Sequence, residues 1–208
     1  MKYTDADQGP SDTAEEIMEA TLRALRKHGY ANLTMQAIAD EFDKTKAVLH
    51  YHYDTKDELL VAFLDYLLDR FIRRLDFETI DDPDARLSAL VDRLLLEFDD
   101  DTSDETAPGF PAALLEVRAH APHNDSYREQ LTLNYELLKD MLTTIIDDGI
   151  EQGVFNPVDS EQTATLILAA IMGGRDYYST TNRECVGEEV RDALQDQFLS
   201  ELRTSDRT

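Results

Sequence analysis

The sequence predicts an all-α fold of about nine helices, arranged as a small N-terminal domain and a larger C-terminal helical domain. Apolar residues recur three and four positions apart in most segments, which places them on one face of a helix. No segment shows the apolar–polar alternation that is typical of a half-buried strand. The 208 residues are 42% hydrophobic, so the chain is long and apolar enough to bury a core.

The first predicted elements are a polar tail and an amphipathic helix. Residues 1–11 are polar, and we expect them to be disordered. From residue 12, apolar positions such as Ile17, Ala24 and Leu25 predict a helix that ends at about residue 28. Gly29 favours this end, because glycine readily adopts the left-handed conformation that follows many helices.

Two short helices and one long helix are predicted next. Thr34 and Thr45 are suitable N-caps for the short helices, and the polar pair Asp43 and Lys44 would form the turn between them. Thr55 would cap the long helix, whose apolar side continues to about residue 75. We therefore place one domain at residues 12–54 and a second at residues 55–204.

Five further helices are predicted in the second domain. Their apolar stripes cover residues 84–98, 108–121, 125–152, 160–178 and 187–202. Residues 99–107 hold five acids and no apolar side chain larger than alanine, so we expect a connecting loop there.

The short helix after Thr45 would carry side chains that can meet phosphates or base edges. An exposed second helix behind a tight turn is the arrangement of a helix-turn-helix, whose second helix enters the major groove of DNA. The exposed candidates in and before that helix are Lys44, Lys46, His50, Tyr51 and His52.

The formal net charge of −24 is unusual for a chain that binds phosphates. Residues 1–60 hold seven Lys and Arg against twelve Asp and Glu, whereas the remaining residues hold thirteen against thirty-two. Such an acid excess predicts a halophile with a very salty cytosol. There the repulsion between acidic side chains is screened beyond about 3 Å at 1 M salt. An ordinary acidic surface that maintains solubility is the alternative interpretation.

Several classes of protein are disfavoured by what the sequence lacks. No apolar run reaches about 18 residues and no signal peptide opens the chain, so we expect a cytoplasmic protein without a membrane anchor. Cys185 is the single cysteine, which excludes intrachain disulfides and cysteine-based zinc sites. His50 and His52 diverge on a helix, and His120 and His123 have no third ligand, so we expect no metal. No catalytic set or cofactor motif occurs, and we expect no enzyme and no cofactor.

Two segments give the chain a resemblance to the tetracycline-repressor (TetR) family of transcriptional regulators. They are GYANLTMQAIA at residues 29–39 and TKAVLHYHYDTKDELL at residues 45–60, and the helical layout of the whole chain is similar to the family's. Three positions depart from the family pattern. Asp43 stands where the turn glycine is usual, Lys44 replaces a packed valine, and His50 replaces a tyrosine.

The resemblance implies DNA contacts at matching positions. Thr34 would hold a phosphate, Gln36 would reach a base, and Lys56 would clamp a phosphate. The implied DNA-binding residues are Thr34, Gln36, Lys44, Thr45, Lys46, Ala47, Val48, Tyr51, His52 and Lys56. For each of them, an ordinary solvated surface side chain is the alternative.

The resemblance also implies a homodimer formed by the last two helices. Glycine within a helix costs about 1 kcal/mol relative to alanine, so Gly173 and Gly174 indicate close helix approach or, alternatively, a kink that opens a pocket. The candidate interface residues are Ile171, Gly173, Gly174, Val190, Leu194 and Phe198. A dimer separates its two reading helices by about 34–36 Å or a multiple, which predicts an inverted-repeat operator in double-stranded DNA.

The effector would bind among the middle helices of the larger domain, as the resemblance implies. The candidate lining residues are Leu95, Phe98, Phe110, Leu114, Arg118, Tyr135, Leu138, Met141, Met172 and Tyr177, and most of them, with Arg118 the exception, are of a kind that more often belongs to the core. Arg118 lies among apolar neighbours and needs a partner. An apolar molecule with a carboxylate or phosphate would supply one, as would Glu116 or Asp140.

These features together predict a ligand-responsive regulator, usually a repressor in this family, which a small and largely apolar ligand releases from its operator. The alternative is an interaction module or DNA mimic of the same fold that binds a basic partner. The lysines around residues 44–56 argue against the alternative, because a DNA mimic should be acidic there too.

Overall fold

The structure is a computed structural model, and it describes residues 10–42, 46–75, 80–96 and 110–204. Within these ranges the chain is almost entirely helical, and its only strand-like feature is one antiparallel bridge between Phe155 and Arg203. The predicted all-α fold is therefore confirmed.

The helices follow the predicted order, with ends that shift by a few residues. They are α1 (Pro10–His28), α2 (Met35–Asp40), α3 (Lys46–His52), α4 (Lys56–Arg74), α5 (Pro83–Leu96), α6 (Phe110–His120), α7 (Asp125–Glu151), α8 (Ser160–Thr180), α9 (Val186–Ala193) and α10 (Ser200–Leu202). A 3₁₀ turn (Ala121–His123) follows α6, and a π-helical segment (Leu194–Leu199) joins α9 to α10.

Local chemistry sets several of the helix ends. The Thr34 hydroxyl accepts a hydrogen bond from the Ala37 N–H at 3.0 Å, and the Asp159 carboxylate accepts one from the Gln162 N–H at 3.0 Å. Gly29 has a φ of 68°, so a left-handed residue ends α1 as predicted. Helix α1 itself begins at Pro10, which is earlier than the predicted start, and residues 1–9 of the predicted tail lie outside the described residues.

Thr55 caps α4 in a reciprocal arrangement. Its hydroxyl accepts a hydrogen bond from the Glu58 N–H at 3.1 Å, and the Glu58 carboxylate accepts one from the Asp54 N–H at 2.9 Å. The first contact satisfies one of the backbone donors that the first turn of a helix leaves without partners, and the second satisfies the N–H of the residue before the cap. The start of α4 is therefore fixed by residues that are adjacent in sequence.

The chain divides into two compact units, Met1–Asp69 with Thr102–Leu131, and Arg70–Asp101 with Thr132–Thr208. The first unit contains α1 to α3 and also α6, which the predicted domain boundary at residue 54 assigned to the second domain. It has its own buried core, which apolar side chains of α1 to α4, α6 and the start of α7 build together. The most deeply buried members include Ile17, Leu25, Ile38, Leu49, Leu59, Phe63 and Tyr127.

The second unit has a separate core around α5, α8 and α9. A β-carbon added to Gly174 on α8 would lie 3.1 Å from Leu95 of α5 and 3.3 Å from Val190 of α9. Gly187 approaches the backbone of α5 in the same way, at 3.3 Å from the Leu95 carbonyl. Small residues therefore allow these three helices to approach closely within one chain.

Candidate DNA-binding surface and effector-binding region

Helix α2 is anchored by a buried residue and by basic side chains of α1. Ile38 is fully buried, whereas the Arg23 guanidinium donates to the Glu41 carbonyl at 2.8 Å and the Lys27 ammonium lies 2.7 Å from the Glu41 carboxylate. The hydrogen bond and the charge of Glu41 raise the pKa of Lys27, so this ion pair persists at neutral pH. These contacts fix the C-terminal end of α2.

Helix α3 presents most of its surface to solvent and is held by one buried side chain. Leu49 is fully buried and faces the core of the first unit. Lys46, Ala47 and Tyr51 are exposed, and the Tyr51 ring, which packs edge-on to His52, is 87% exposed. The outward face of α3 therefore carries an exposed aromatic ring and an exposed lysine.

The structure places most of the predicted DNA-contact residues on the outer side of α2, α3 and the start of α4. Thr34 and Gln36 are exposed, while Val48, His52 and Lys56 are half-buried. The Thr34 hydroxyl is already engaged as the cap of α2. Lys44 and Thr45, together with the atypical turn residue Asp43, lie outside the described residues.

Gln36 is oriented by a residue that the sequence analysis did not single out. Its side-chain Nε2 donates a hydrogen bond to the Asp40 carboxylate at 2.7 Å, one helical turn along α2. A carboxylate only accepts hydrogen bonds, so the amide nitrogen of Gln36 must face Asp40. If Gln36 contacts a base, as the family resemblance implies, its amide oxygen would face a base that presents an amino group, namely adenine or cytosine, and the second N–H of the amide would remain as a donor.

Replacing Asp40 with alanine should relax base preference at the position that Gln36 meets. Without the carboxylate, the amide can present either its nitrogen or its oxygen, and we expect discrimination there to fall roughly tenfold, the value of about one hydrogen bond. Binding to a panel of single-base operator variants measures this change. Asp54→Ala, which removes another exposed acid, should raise affinity for every sequence equally. Unchanged discrimination in Asp40→Ala would contradict the orienting role.

The predicted effector-lining residues fall into different environments. Leu95 and Leu138 are buried, and Leu95 packs against Gly174, so its environment is that of a core residue. Five others are half-buried: Leu114 and Arg118 in the first unit, and Tyr135, Met141 and Met172 in the second. Phe98 lies outside the described residues, and the side chain of Phe110 is not described.

Two of the predicted effector residues are accessible to solvent. Tyr177 is 44% exposed, and its ring faces the Arg183 guanidinium at 5.8 Å, so it lies on the surface of α8. Arg118 is only half-buried, and because water reaches it, no anionic ligand is needed to stabilise its charge. The carboxylate of Glu116, one of its predicted partners, accepts a hydrogen bond from the Tyr30 N–H.

The predicted dimer residues also divide between the interior and the surface. Ile171, Gly174 and Leu194 are buried within their own chain, which leaves them no surface to offer a partner, and Val190 and Phe198 are half-buried. Gly173 faces open space, since a β-carbon there would meet no atom within 4 Å. It belongs to an exposed stripe of α8 whose members are spaced three and four apart. That stripe consists of Leu166, Ala169, Gly173 and Tyr177.

Two further kinds of site are absent from the described part of the chain. No group of three or more His, Cys, Asp and Glu residues is placed to hold a metal ion there. No described helix has the length and apolar character required to cross a membrane.

Comparison with known proteins gives two family matches that together span most of the chain. Residues 17–63 match the tetR family of bacterial regulatory proteins, and residues 83–202 match the C-terminal domain of BetI-type transcriptional repressors. The first match covers α2, α3 and the start of α4, and the second covers the helices of the predicted effector and dimer regions.

Individual relatives agree with these matches. The fold is similar to that of a TetR transcription regulator from Haloarcula marismortui, with 41% identity, a TM-score of 0.84, and coverage of 93% of this chain and 100% of that one. A transcriptional regulator from Saccharomonospora viridis, solved in complex with choline, has 25% identity, a TM-score of 0.77 and coverage of 93% and 99%.

Relatives without a solved structure give the same assignment. The HTH-type regulator YfiR of Bacillus subtilis is 26% identical over 69% of this chain and 68% of its own length. The regulator BetI of Agrobacterium fabrum is 30% identical over 61% of this chain and 59% of its own. From these similarities and from the helix-turn-helix geometry, the chain belongs to the TetR family of transcriptional regulators and carries a BetI-type C-terminal domain.

Proposed function

We propose that this chain acts as a homodimeric repressor that binds an inverted-repeat operator and releases it when a small effector binds. The exposed face of α3 supports the DNA contact, because Lys46 and Tyr51 project from a helix that Leu49 anchors to the core. The exposed stripe of α8, with Gly173 open to solvent, supports the dimer contact. Repression with effector-dependent release is consistent with the BetI-type C-terminal match.

Selection of operator sequences from a random double-stranded DNA pool tests this function. The protein should enrich an inverted repeat whose half-sites are separated by one DNA turn or a multiple of it. Selection should be run in molar KCl, where the acidic body of the protein is screened from the DNA. Failure to enrich any sequence would contradict the proposal and favour a module that binds a basic protein.

For the effector we propose a small quaternary ammonium compound. The regulator from S. viridis was solved with choline, and the BetI-type match covers the same region of this chain. The excess of acids over bases after residue 60 favours a cation electrostatically. This class differs from the anionic ligand predicted from Arg118, which is half-buried and therefore does not require an anion.

Calorimetric titration distinguishes the two effector classes. Choline should bind the dimer and lower its affinity for the selected operator, whereas decanoate, an apolar carboxylate, should do neither. Release by decanoate alone would overturn the cationic class and restore the one predicted from the sequence.

The fold itself should depend on salt. The net charge of −24 predicts strong self-repulsion, which molar KCl reduces by shortening the screening length from about 30 Å at 0.01 M to about 3 Å at 1 M. We expect the melting temperature to rise by about 10 °C between dilute buffer and 2 M KCl, equivalent to about 3 kcal/mol for a chain of this size. Thermal melting followed by circular dichroism measures it, and an unchanged melting temperature would favour the ordinary acidic surface.

A further inference from the structure

Tyr30, in the connection between α1 and α2, is held by side chains of α6. Its backbone N–H donates to the Glu116 carboxylate at 2.9 Å, and its ring packs against the His120 ring with the centroids 4.2 Å apart and the planes tilted by 44°. Tyr30 is only 9% exposed. A residue of the helix-turn-helix domain is thus fixed by a helix that lies 86 residues further along the chain.

The start of α4 is held by a second tyrosine. The fully buried Tyr127 donates its hydroxyl to the Asp57 carboxylate at 2.7 Å, and the Asn124 amide donates to the other oxygen of Asp57 at 3.2 Å. Burial, the Asp57 carboxylate and the hydroxyl of Tyr30 raise the pKa of Tyr127, so it remains a donor at every physiological pH.

Lys56 is the predicted phosphate clamp, and it lies against the held tyrosine. Its ammonium is 4.4 Å from the centroid of the Tyr30 ring, within the range of a cation–π contact. A free lysine side chain carries about 2 kcal/mol of rotamer entropy, which must be lost when it binds a phosphate. The Tyr30 ring removes part of that freedom in advance, while Lys56 remains half-exposed and open to DNA.

We propose that Tyr30 is a positioning residue for the phosphate contact of Lys56, and that Glu116 and His120 of α6 hold Tyr30 in place for it. The inference rests on the proposed operator binding and goes beyond it, because it assigns to α6 direct control of one DNA contact. Any effector-driven shift of α6 that breaks the Glu116 and His120 contacts would release Lys56 as well as moving the reading helices.

A double-mutant cycle on operator affinity tests the coupling. Lys56→Ala should lower the slope of log K against log[KCl] by about 0.9 per subunit, because one phosphate contact is lost. Tyr30→Leu removes the ring and should reproduce most of that change, but should add little in a Lys56→Ala background. Tyr30→Phe, which keeps the ring, should retain the wild-type slope.

A second pair of variants avoids any folding defect in Tyr30→Leu. Glu116 is exposed, so Glu116→Ala and Glu116→Gln should both fold, which melting curves can check. Glu116→Gln keeps an acceptor for the Tyr30 N–H and should retain the wild-type slope, whereas Glu116→Ala should lower it.

The outcomes separate this inference from the proposed function. A wild-type protein that binds no operator overturns both. If the wild type binds, two results together overturn the positioning role alone. The effects of Tyr30→Leu and Lys56→Ala on affinity add fully, and neither Tyr30→Leu nor Glu116→Ala changes the slope. Non-additive losses with a shared change in slope support it.

Discussion

Replacing Gly149 with alanine should destabilise the protein by about 3 kcal/mol, at the upper end of typical overpacking effects. Gly149 lies inside α7, where alanine is normally preferred by about 1 kcal/mol. The Phe155 ring, however, fills the space above it: a β-carbon would lie 2.9 Å from Cγ of that ring and closer still to Cδ2 and Cε2. Real β-carbons do not approach other atoms this closely.

Neither partner in this contact can move easily. The Gly149 carbonyl accepts hydrogen bonds from the Val154 N–H at 2.8 Å and the Phe155 N–H at 3.0 Å, and Phe155 is 2% exposed. Gly153, which lies between Gly149 and Phe155 in the sequence, turns the chain with a φ of 70°. The segment is further tied to the C-terminal end of the helical region, because the Asn156 N–H donates to the Leu202 carbonyl at 2.7 Å.

Chemical denaturation in molar KCl measures the free energy of unfolding of the Gly149→Ala variant. The Phe155→Ala variant provides the matched background for the same substitution. Phe155→Ala alone should cost about 3–5 kcal/mol, because it removes a buried aromatic ring. In that background the clash is absent, and Gly149→Ala should become neutral or stabilising by up to about 1 kcal/mol. A Gly149→Ala variant that is as stable as the wild type would show that the α7–α8 connection rearranges without strain.

The sequence was sufficient for those features whose causes are local. The caps at Thr34, Thr55 and Asp159 act on N–H groups three residues away, and Gly29 acts on the helix that it directly follows. Propensity and spacing report such effects because the interacting groups are near neighbours in the chain. The helix order and the outer face of α3 were therefore predictable, and the resemblance to a known family strengthened both.

Features that depend on distant contacts were not predictable. Gly173 and Gly174 are adjacent and chemically identical, yet one faces open space and the other packs on Leu95. Helical spacing defines a stripe but not what covers it, which is also why Tyr177 was assigned to a pocket and lies on the surface. The contact between Glu116 and Tyr30 crosses 86 residues, and no local pattern signals it.

The double variant Lys46→Ala/Tyr51→Ala should bind the selected operator at least about 100-fold more weakly than the wild type. A dimer loses four side chains, and each direct contact is worth about 1–3 kcal/mol. Both side chains are exposed, so the free energy of unfolding should change by less than about 0.5 kcal/mol per substitution. Gel-shift titration and thermal melting of the same samples separate lost recognition from lost folding.

Lys139→Ala provides the matched control for charge. Lys139 lies on α7 and pairs with Glu136 at 3.1 Å, and its loss changes the net charge of the subunit by the same amount as Lys46→Ala. If long-range attraction governed binding, the two lysine variants would weaken it equally. In molar salt, charges more than about 3 Å apart are largely screened from one another, so only direct contacts contribute to binding. Lys139→Ala should therefore bind like the wild type.

This comparison addresses how so acidic a chain can bind DNA at all. The less acidic first 60 residues still carry more Asp and Glu than Lys and Arg, so net attraction cannot supply the affinity. Affinity must come from individual side chains that meet the duplex at contact distance, and the exposed face of α3 offers Lys46 and Tyr51 for this purpose. Double-variant binding within threefold of the wild type would remove α3 from the interface. A loss confined to that variant would establish that contact geometry, rather than net charge, determines recognition.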